Sequence, residues 1–293
     1  MGEEWSESIK KSLNDSILYV SMTKTGVRKN MLDNSSAFEG WIICQKAKNK
    51  QIKSVELSWE EPTYTKEKNT EEKHYNRFLL RVYWFQKYFS WFSVSEKNKS
   101  ELGNVFKNGD IVLNYPKSKE KEDASNKESE AQLERDLCKI IRESNESANH
   151  QLPVALFKNK EVNNANAFTP SGASQIDLWQ IKDSTLYIYE LKKKDNNPIG
   201  IISELMYYAN VMNQLRIKEF NYPDDIKRAK DYRNIRMFSE KINDITRIEA
   251  VFLTNTLHSF FSDNKDKVLE ILNEAMNPYG VNFSHEPISK YLP

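Results

Sequence analysis

Cysteine and histidine are scarce in this chain, with two and four copies in 293 residues. Cys44 and Cys138 lie far apart inside apolar helical patterns, without the paired spacing of a thiolate metal site, so they read as buried thiols of a reducing compartment. His258 and His285 have no partner at ligand spacing and read as structural. An excess of one charge is also missing. Lys and Arg number 43 against 42 Asp and Glu, and the resulting net charge of +1 excludes a polycation that holds nucleic acid by bulk charge, leaving room for a local basic cleft. No apolar run reaches membrane-spanning length, and the opening Met1-Gly2-Glu3-Glu4-Trp5 is too acidic for a signal peptide. A cytoplasmic protein with no membrane contact is therefore expected. There is no Gly-rich phosphate loop, no nucleotide fingerprint and no internal repeat.

What is present is a folded chain, 39% hydrophobic and 12% aromatic, long enough for one large or two modest domains. Residues 117–129 contain a single small apolar residue among charged and polar ones, which predicts a solvated linker. It divides a smaller N-terminal domain, 1–116, from a C-terminal one, 130–293. In the first, Ile17–Met22 and Val55–Trp59 pattern as strands, and Ser35 or Ser36 is placed to cap a helix running through Lys46. Phe78, Val82, Phe85 and Phe89 recur at helical spacing between His74 and Phe92. The aromatics there, interleaved with Arg77, Arg81 and Lys87, suit a core stripe better than a surface for stacking on bases. Asn108-Gly109-Asp110 marks a turn into a strand at Ile111–Tyr115.

The chemistry gathers in the second domain. Ile176–Ile181 and Leu186–Leu191 flank the polar connector Lys182-Asp183-Ser184-Thr185, the pattern of an antiparallel hairpin. On the second strand Leu186, Ile188, Glu190 and Lys192 share one face and Tyr187, Tyr189 and Leu191 the other, so the strand should be central and covered on both sides. Antiparallel pairing would bring Asp177 beside Glu190. Two carboxylates and a lysine at a strand end suit phosphoryl chemistry. Mg2+ is held by one or two carboxylates, waters and phosphate oxygens. The metal acidifies a bound water and offsets charge on the phosphate, while a lysine orients that water or stabilises the developing charge. Asp177 and Glu190 are the candidate Mg2+ or Mn2+ ligands and Lys192 the group beside them. Lys193 adjoins them, and the loop 163–174, with Gly172, leads into the Asp177 strand as a candidate substrate contact.

These residues resemble the PD-(D/E)XK nuclease superfamily, the fold of many restriction endonucleases, resolvases and repair nucleases. Asp177 matches its first acid and Glu190-Leu191-Lys192 its E-x-K, although Ile176 stands where the family has proline. The resemblance extends to a helix opened by Ser129, where Glu134-Arg135-Asp136-Leu137 looks like the Glu-Arg-Glu-Leu of resolvase-like members; it implies Glu134, or secondarily Glu130, as a further metal-supporting acid. Glu204 to Tyr208 resembles the Gln-x-x-x-Tyr of the following helix with Glu204 replacing the glutamine, which puts contact with DNA by Glu204 in doubt and leaves Tyr208 as a candidate phosphate contact. The order helix, strand from Leu152 to Phe157, Asp177 strand, Glu-x-Lys strand, helix from Pro198 and strand from Ile248 to Thr254 follows that core.

The expected architecture is therefore α/β: a restriction-endonuclease-like core, a mixed central sheet flanked by helices, behind a smaller α+β domain. A helix at Lys265–Met276 and an edge strand at Val281–Phe283 complete it, and residues 216–246 read as a mostly solvated insertion. The expected function is a Mg2+-dependent endonuclease acting on double-stranded DNA, with the N-terminal domain recognising the target or joining two copies as a homodimer. The alternative is a catalytically inactive nuclease fold that binds nucleic acid or serves assembly.

Overall fold

The computed structural model describes residues 5–63, 69–103, 110–117, 129–172, 174–193 and 197–292. Most of the linker expected at 117–129, and the Asn108-Gly109 part of the turn, lie outside them. The chain is mixed α/β, with mixed sheets flanked by helices.

In the N-terminal half β1 (Ile9–Asn14) and β2 (Ile17–Met22) form an antiparallel hairpin, followed by α1 (Phe38–Lys48), β3 (Ser54–Trp59), α2 (Asn69–Tyr88), β4 (Phe92–Val94), a one-turn α3 (Lys99–Leu102) and the short β5 (Val112–Leu113). The four-stranded sheet has the order β1-β2-β3-β4, with β3 parallel to both neighbours. Phe78, Val82, Phe85 and Phe89 are buried, as a core stripe on α2 requires. Neither Ser35 nor Ser36 caps α1, whose N-cap is Ala37 without a side-chain hydrogen bond; the Ser36 hydroxyl accepts instead from Arg81.

The C-terminal half runs α4 (Glu130–Ser144), β6 (Ala148–Pro153), β7 (Leu156–Phe157), β8 (Gln175–Lys182), β9 (Thr185–Leu191), α5 (Gly200–Arg216), α6 (Ile235–Lys241), β10 (Arg247–Leu253), a one-turn α7 (Ser259–Ser262), α8 (Lys265–Met276) and β11 (Val281–Glu286). Its sheet has the order β11-β10-β9-β8-β6. β8 is antiparallel to β6 and β9, whereas β10 is parallel to β9 and β11. β9 is thus the central strand. Ser129 caps α4, its side chain accepting from the Gln132 amide. The single strand expected from Leu152 to Phe157 is two: Pro153 ends β6, and β7 pairs with β5 in a separate two-stranded sheet.

Helix α4 packs Leu137, Cys138 and Ile141 onto Leu178, Tyr189 and Leu191, while Leu186 and Ile188 on the other face belong to the larger core with Leu205 of α5. Sixteen of the 17 residues of α5 are buried, because it lies between the sheet and α1, with side chains of α2 reaching its far side. Trp84 of α2 meets Tyr207 of α5 at 5.9 Å between ring centroids. A single hydrophobic core therefore runs from Ile9 of β1 to Phe283 of β11, through both halves predicted from the sequence. The segment read as a solvated insertion also enters this core. Phe220, Ile226, Ile235, Phe238 and Ile242 are buried, and Phe238 packs edge-on against Trp179 at 4.8 Å. Its charged residues had masked an apolar set that lacks one continuous period. Among the described residues no helix is long and apolar enough to cross a membrane.

Candidate active site

The β8–β9 ladder ends at the pair Leu178 and Tyr189, so the next positions along the strands are Asp177 and Glu190. There the backbone pairing gives way to a side chain: Asp177 Oδ2 accepts the Leu191 amide hydrogen at 2.7 Å. Lys192, just beyond β9, donates its own amide to Leu253 O of β10 at 3.2 Å and folds its side chain back onto Glu190. Its ammonium also lies 3.3 Å from Glu204 Oε2 of α5. Glu190 and Lys192 are 1% and 4% exposed. These are not the solvated charges that usually end a strand.

Glu134 of α4 is buried and its Oε1 lies 2.8 Å from Nδ1 of His150 on β6. Glu130, one turn earlier, accepts the Lys193 amide hydrogen at 3.2 Å. Glu204 Oε1 accepts from the Tyr208 hydroxyl at 3.0 Å. The sheet end, α4 and α5 thus bring Asp177, Glu190, Lys192, Glu134 and Glu204 into one electrostatically coupled group.

That coupling sets the protonation of the cluster. Burial, together with the negative charges of Glu134 and Glu204, pushes Asp177 up to about 8 against the pull of Lys192. Burial and the charges of Asp177 and Glu204 push Glu190 well above the usual carboxylate range. Burial opposes the charge on Lys192, but Glu190, Glu204 and Asp177 outweigh it and hold the ammonium well above its ordinary value. Glu204 goes the other way: burial would raise it, yet Lys192, Glu190 and the Tyr208 hydroxyl hold it down. As anions, Glu190 and Glu204 each leave a buried Oε2 without a hydrogen-bond partner.

Four acids, Asp177, Glu190, Glu134 and Glu204, against the Lys192 ammonium form a set of hard oxygen donors with a deficit of positive charge. Among the described residues no group of three or more His, Cys, Asp and Glu side chains is arranged to hold a metal ion. Hard divalent ions such as Mg2+ or Mn2+ keep several waters and need only one or two carboxylates, so Asp177 and Glu190 are the side chains here that would hold one. The orphaned Glu190 Oε2 is a donor available to a cation.

The other sequence-predicted contacts fare differently. Tyr208 is buried and committed to Glu204, and burial followed by the charges of Glu204, Glu190 and Asp177 raises its phenol well above the ordinary value, so its hydroxyl does not face the surface. Lys193 is exposed beside the cluster. Gly172 is exposed, and a Cβ added there would meet nothing within 4 Å. His150 was not singled out by the sequence, because only the register of β6 against β8 brings it opposite Leu178 and under Glu134. Glu204 was read as a doubtful DNA contact, whereas it is the second carboxylate on Lys192. His258 caps α7, and His285 Nε2 bonds Thr254 O at 2.9 Å, both structural roles. No protein-family model, curated protein or solved structure matches the chain.

Proposed function

We propose that this protein is a metal-dependent phosphodiesterase of the PD-(D/E)XK type, an endonuclease acting on double-stranded DNA. The observation that carries the reading is the meeting of Asp177, Glu190 and Lys192 at one end of the central sheet, with Asp177 half-buried and Glu190 and Lys192 buried, and the group short of positive charge. Carboxylates held above their ordinary pKa bind a proton when no cation is near and exchange it for one that arrives. Bound Mg2+ would supply an acidified water and offset the charge developing on the phosphate.

In this reading Asp177 and Glu190 hold the ion, and Glu134 supports it from α4 with His150 fixing the orientation of its carboxylate. Lys192 keeps its proton throughout, so it stabilises negative charge and orients the attacking water rather than acting as a base. Tyr208 orients Glu204, which in turn holds the Lys192 ammonium. Lys193, exposed at the rim, is the candidate phosphate contact.

A second reading, an inactive nuclease fold that binds nucleic acid, is favoured by one feature: Lys192 is already engaged by two glutamates. Supercoiled plasmid incubated with wild type, Glu190→Gln and Lys192→Met in Mg2+, Mn2+ or EDTA separates the two. The nuclease reading expects metal-dependent nicking by the wild type alone, together with calorimetric binding of Mn2+ that Glu190→Gln abolishes. Absence of both effects in the wild type overturns it.

A further inference from the structure

Arg77 and Arg81 lie one turn apart on α2 and are equally buried, each 3% exposed, but they are treated differently. Arg81 is neutralised. Its Nε donates to Glu39 Oε1 at 2.8 Å, its Nη2 contacts Glu39 Oε2, and Nη2 also reaches Ser36 O at 2.8 Å. Arg77 has only uncharged partners among the described residues: Ser174 Oγ at 3.0 Å, Asn30 Oδ1 at 2.9 Å and His74 Nδ1 at 3.0 Å, with its guanidinium 5.9 Å from the Tyr207 ring centroid.

His74 adds no negative charge. Burial, then the positive charges of Arg77 and Arg81, lowers it to about 4, so at neutral pH it is an uncharged acceptor. A guanidinium shut away from water with no carboxylate in hydrogen-bond contact, and only the charge of Glu204 acting on it without a hydrogen bond, is unfavourable, and a fold that retains one keeps a capacity for an anion. The place is also specific. Ser174 immediately precedes β8, three positions before Asp177, and the charge of Arg77 is felt by Tyr208 and Glu204. Arg77 itself is buried, but of its partners Asn30 is exposed and His74 half-buried, so solvent approaches the guanidinium on the Asn30 side.

We propose that Arg77, with Asn30 and Ser174, is an anion site for a phosphodiester oxygen, through which the N-terminal half holds a nucleic-acid backbone next to the acidic cluster. The planar guanidinium suits phosphate geometry, and an incoming anionic oxygen replaces the neutral Asn30 oxygen on Nη2. The identity of the ligand as nucleic acid rests on the nuclease reading; the anion site itself does not.

The test uses two variants of the full chain. Arg77→Gln removes the charge, and Asn30→Asp leaves the arginine in place while giving it an internal carboxylate. Affinity for a fluorescent DNA duplex is measured by anisotropy in Ca2+ across a salt series, beside melting curves with and without inorganic phosphate. Both variants are expected to bind duplex about tenfold more weakly and to lower the salt-dependence slope by about 1. Asn30→Asp should melt at or above the wild-type temperature, so its loss of binding cannot come from unfolding. Wild-type affinity and slope in Asn30→Asp overturn the proposal. If the wild type binds no duplex at all, the nucleic-acid reading fails, and the anion site then stands or falls on phosphate: phosphate should raise the melting temperature of the wild type but not of Asn30→Asp, and equal rises overturn it.

Discussion

Asp177 accepts the amide hydrogen of Leu191 at the point where β8 and β9 stop pairing through their backbones. One carboxylate therefore serves both the fold and the proposed chemistry, and the two roles separate by substitution. Asp177→Asn keeps an oxygen that can accept the Leu191 hydrogen and loses the charge, so it should abolish metal binding and nicking with little change in stability. Asp177→Ala leaves a backbone N–H short of its partner and should cost a further 1–3 kcal/mol, roughly the penalty for an unsatisfied buried group. Urea unfolding of the two variants checks this; equal stability would mean that the hydrogen bond contributes nothing.

Lys192 is flanked by Glu190 and Glu204, and its side chain is 5% exposed. Replacing it with methionine removes the one cation that compensates a buried acidic group, so a merely catalytic effect is not expected. The loss should be about 3–5 kcal/mol at pH 8, the range for breaking a buried ion pair from one side. It should shrink toward pH 5 as the orphaned carboxylates take up protons. Glu190→Gln is the contrasting case, because Glu190 already favours its protonated form and the amide resembles it. That variant should be near neutral or stabilising. Chemical denaturation at both pH values distinguishes them, and an equal, small effect of Lys192→Met at each pH would contradict the burial described.

The raised pKa of Asp177 fixes a pH dependence of opposite sign to the usual acid denaturation. An unfolded aspartate titrates near 3.9, approximately, while the folded one titrates at about 8. Between those values the folded state binds more protons than the unfolded one, so metal-free protein should lose stability as pH rises from about 4 to about 8, with Glu190 adding in the same direction. Mn2+ competes with those protons. It should raise the melting temperature more at pH 8 than at pH 5.5, with protons released on binding. A metal-induced rise independent of pH would place the ion elsewhere.

How much of this was legible in the sequence follows from the range of each interaction. The hairpin, the central position of its second strand and the shared face of Leu186, Ile188, Glu190 and Lys192 all come from period-two alternation within one stretch, and the sheet order agrees with them. Asp177 beside Glu190 needed only a tight turn to be inferred. Glu134 was found through a short motif, but its partner His150 was not, since the pairing depends on the register of β6 against β8. Arg77 was seen within an aromatic stripe without any sign that it would lack a carboxylate. That requires knowing that Glu39, 42 positions from Arg81, goes to the other arginine. The burial of α5 by α1 and α2 was invisible for the same reason, because a charged stretch between two halves says nothing about whether their surfaces meet.

That meeting is close at Gly200, the first residue of α5. A Cβ built there would lie 2.2 Å from Leu32 O, 2.5 Å from Leu32 C and 2.7 Å from its Cα, and one at Gly40 of α1 would lie 2.6 Å from Ile199 O. In each case the obstacle is backbone, which cannot swing aside as a side chain would. Gly200→Ala must therefore push the start of α5 away from the segment before α1, in a core packed on every side. The expected cost is about 1–3 kcal/mol or more, the range for overpacking a well-filled interior. Because α5 carries Glu204 and Tyr208, the same displacement should loosen the hold on Lys192 and weaken Mn2+ binding. Gly172→Ala is the control: with nothing within 4 Å of the added carbon, it should melt as the wild type does. Calorimetric melting of both variants decides the matter, and an unchanged melting temperature for Gly200→Ala would show that the two halves do not approach as closely as described.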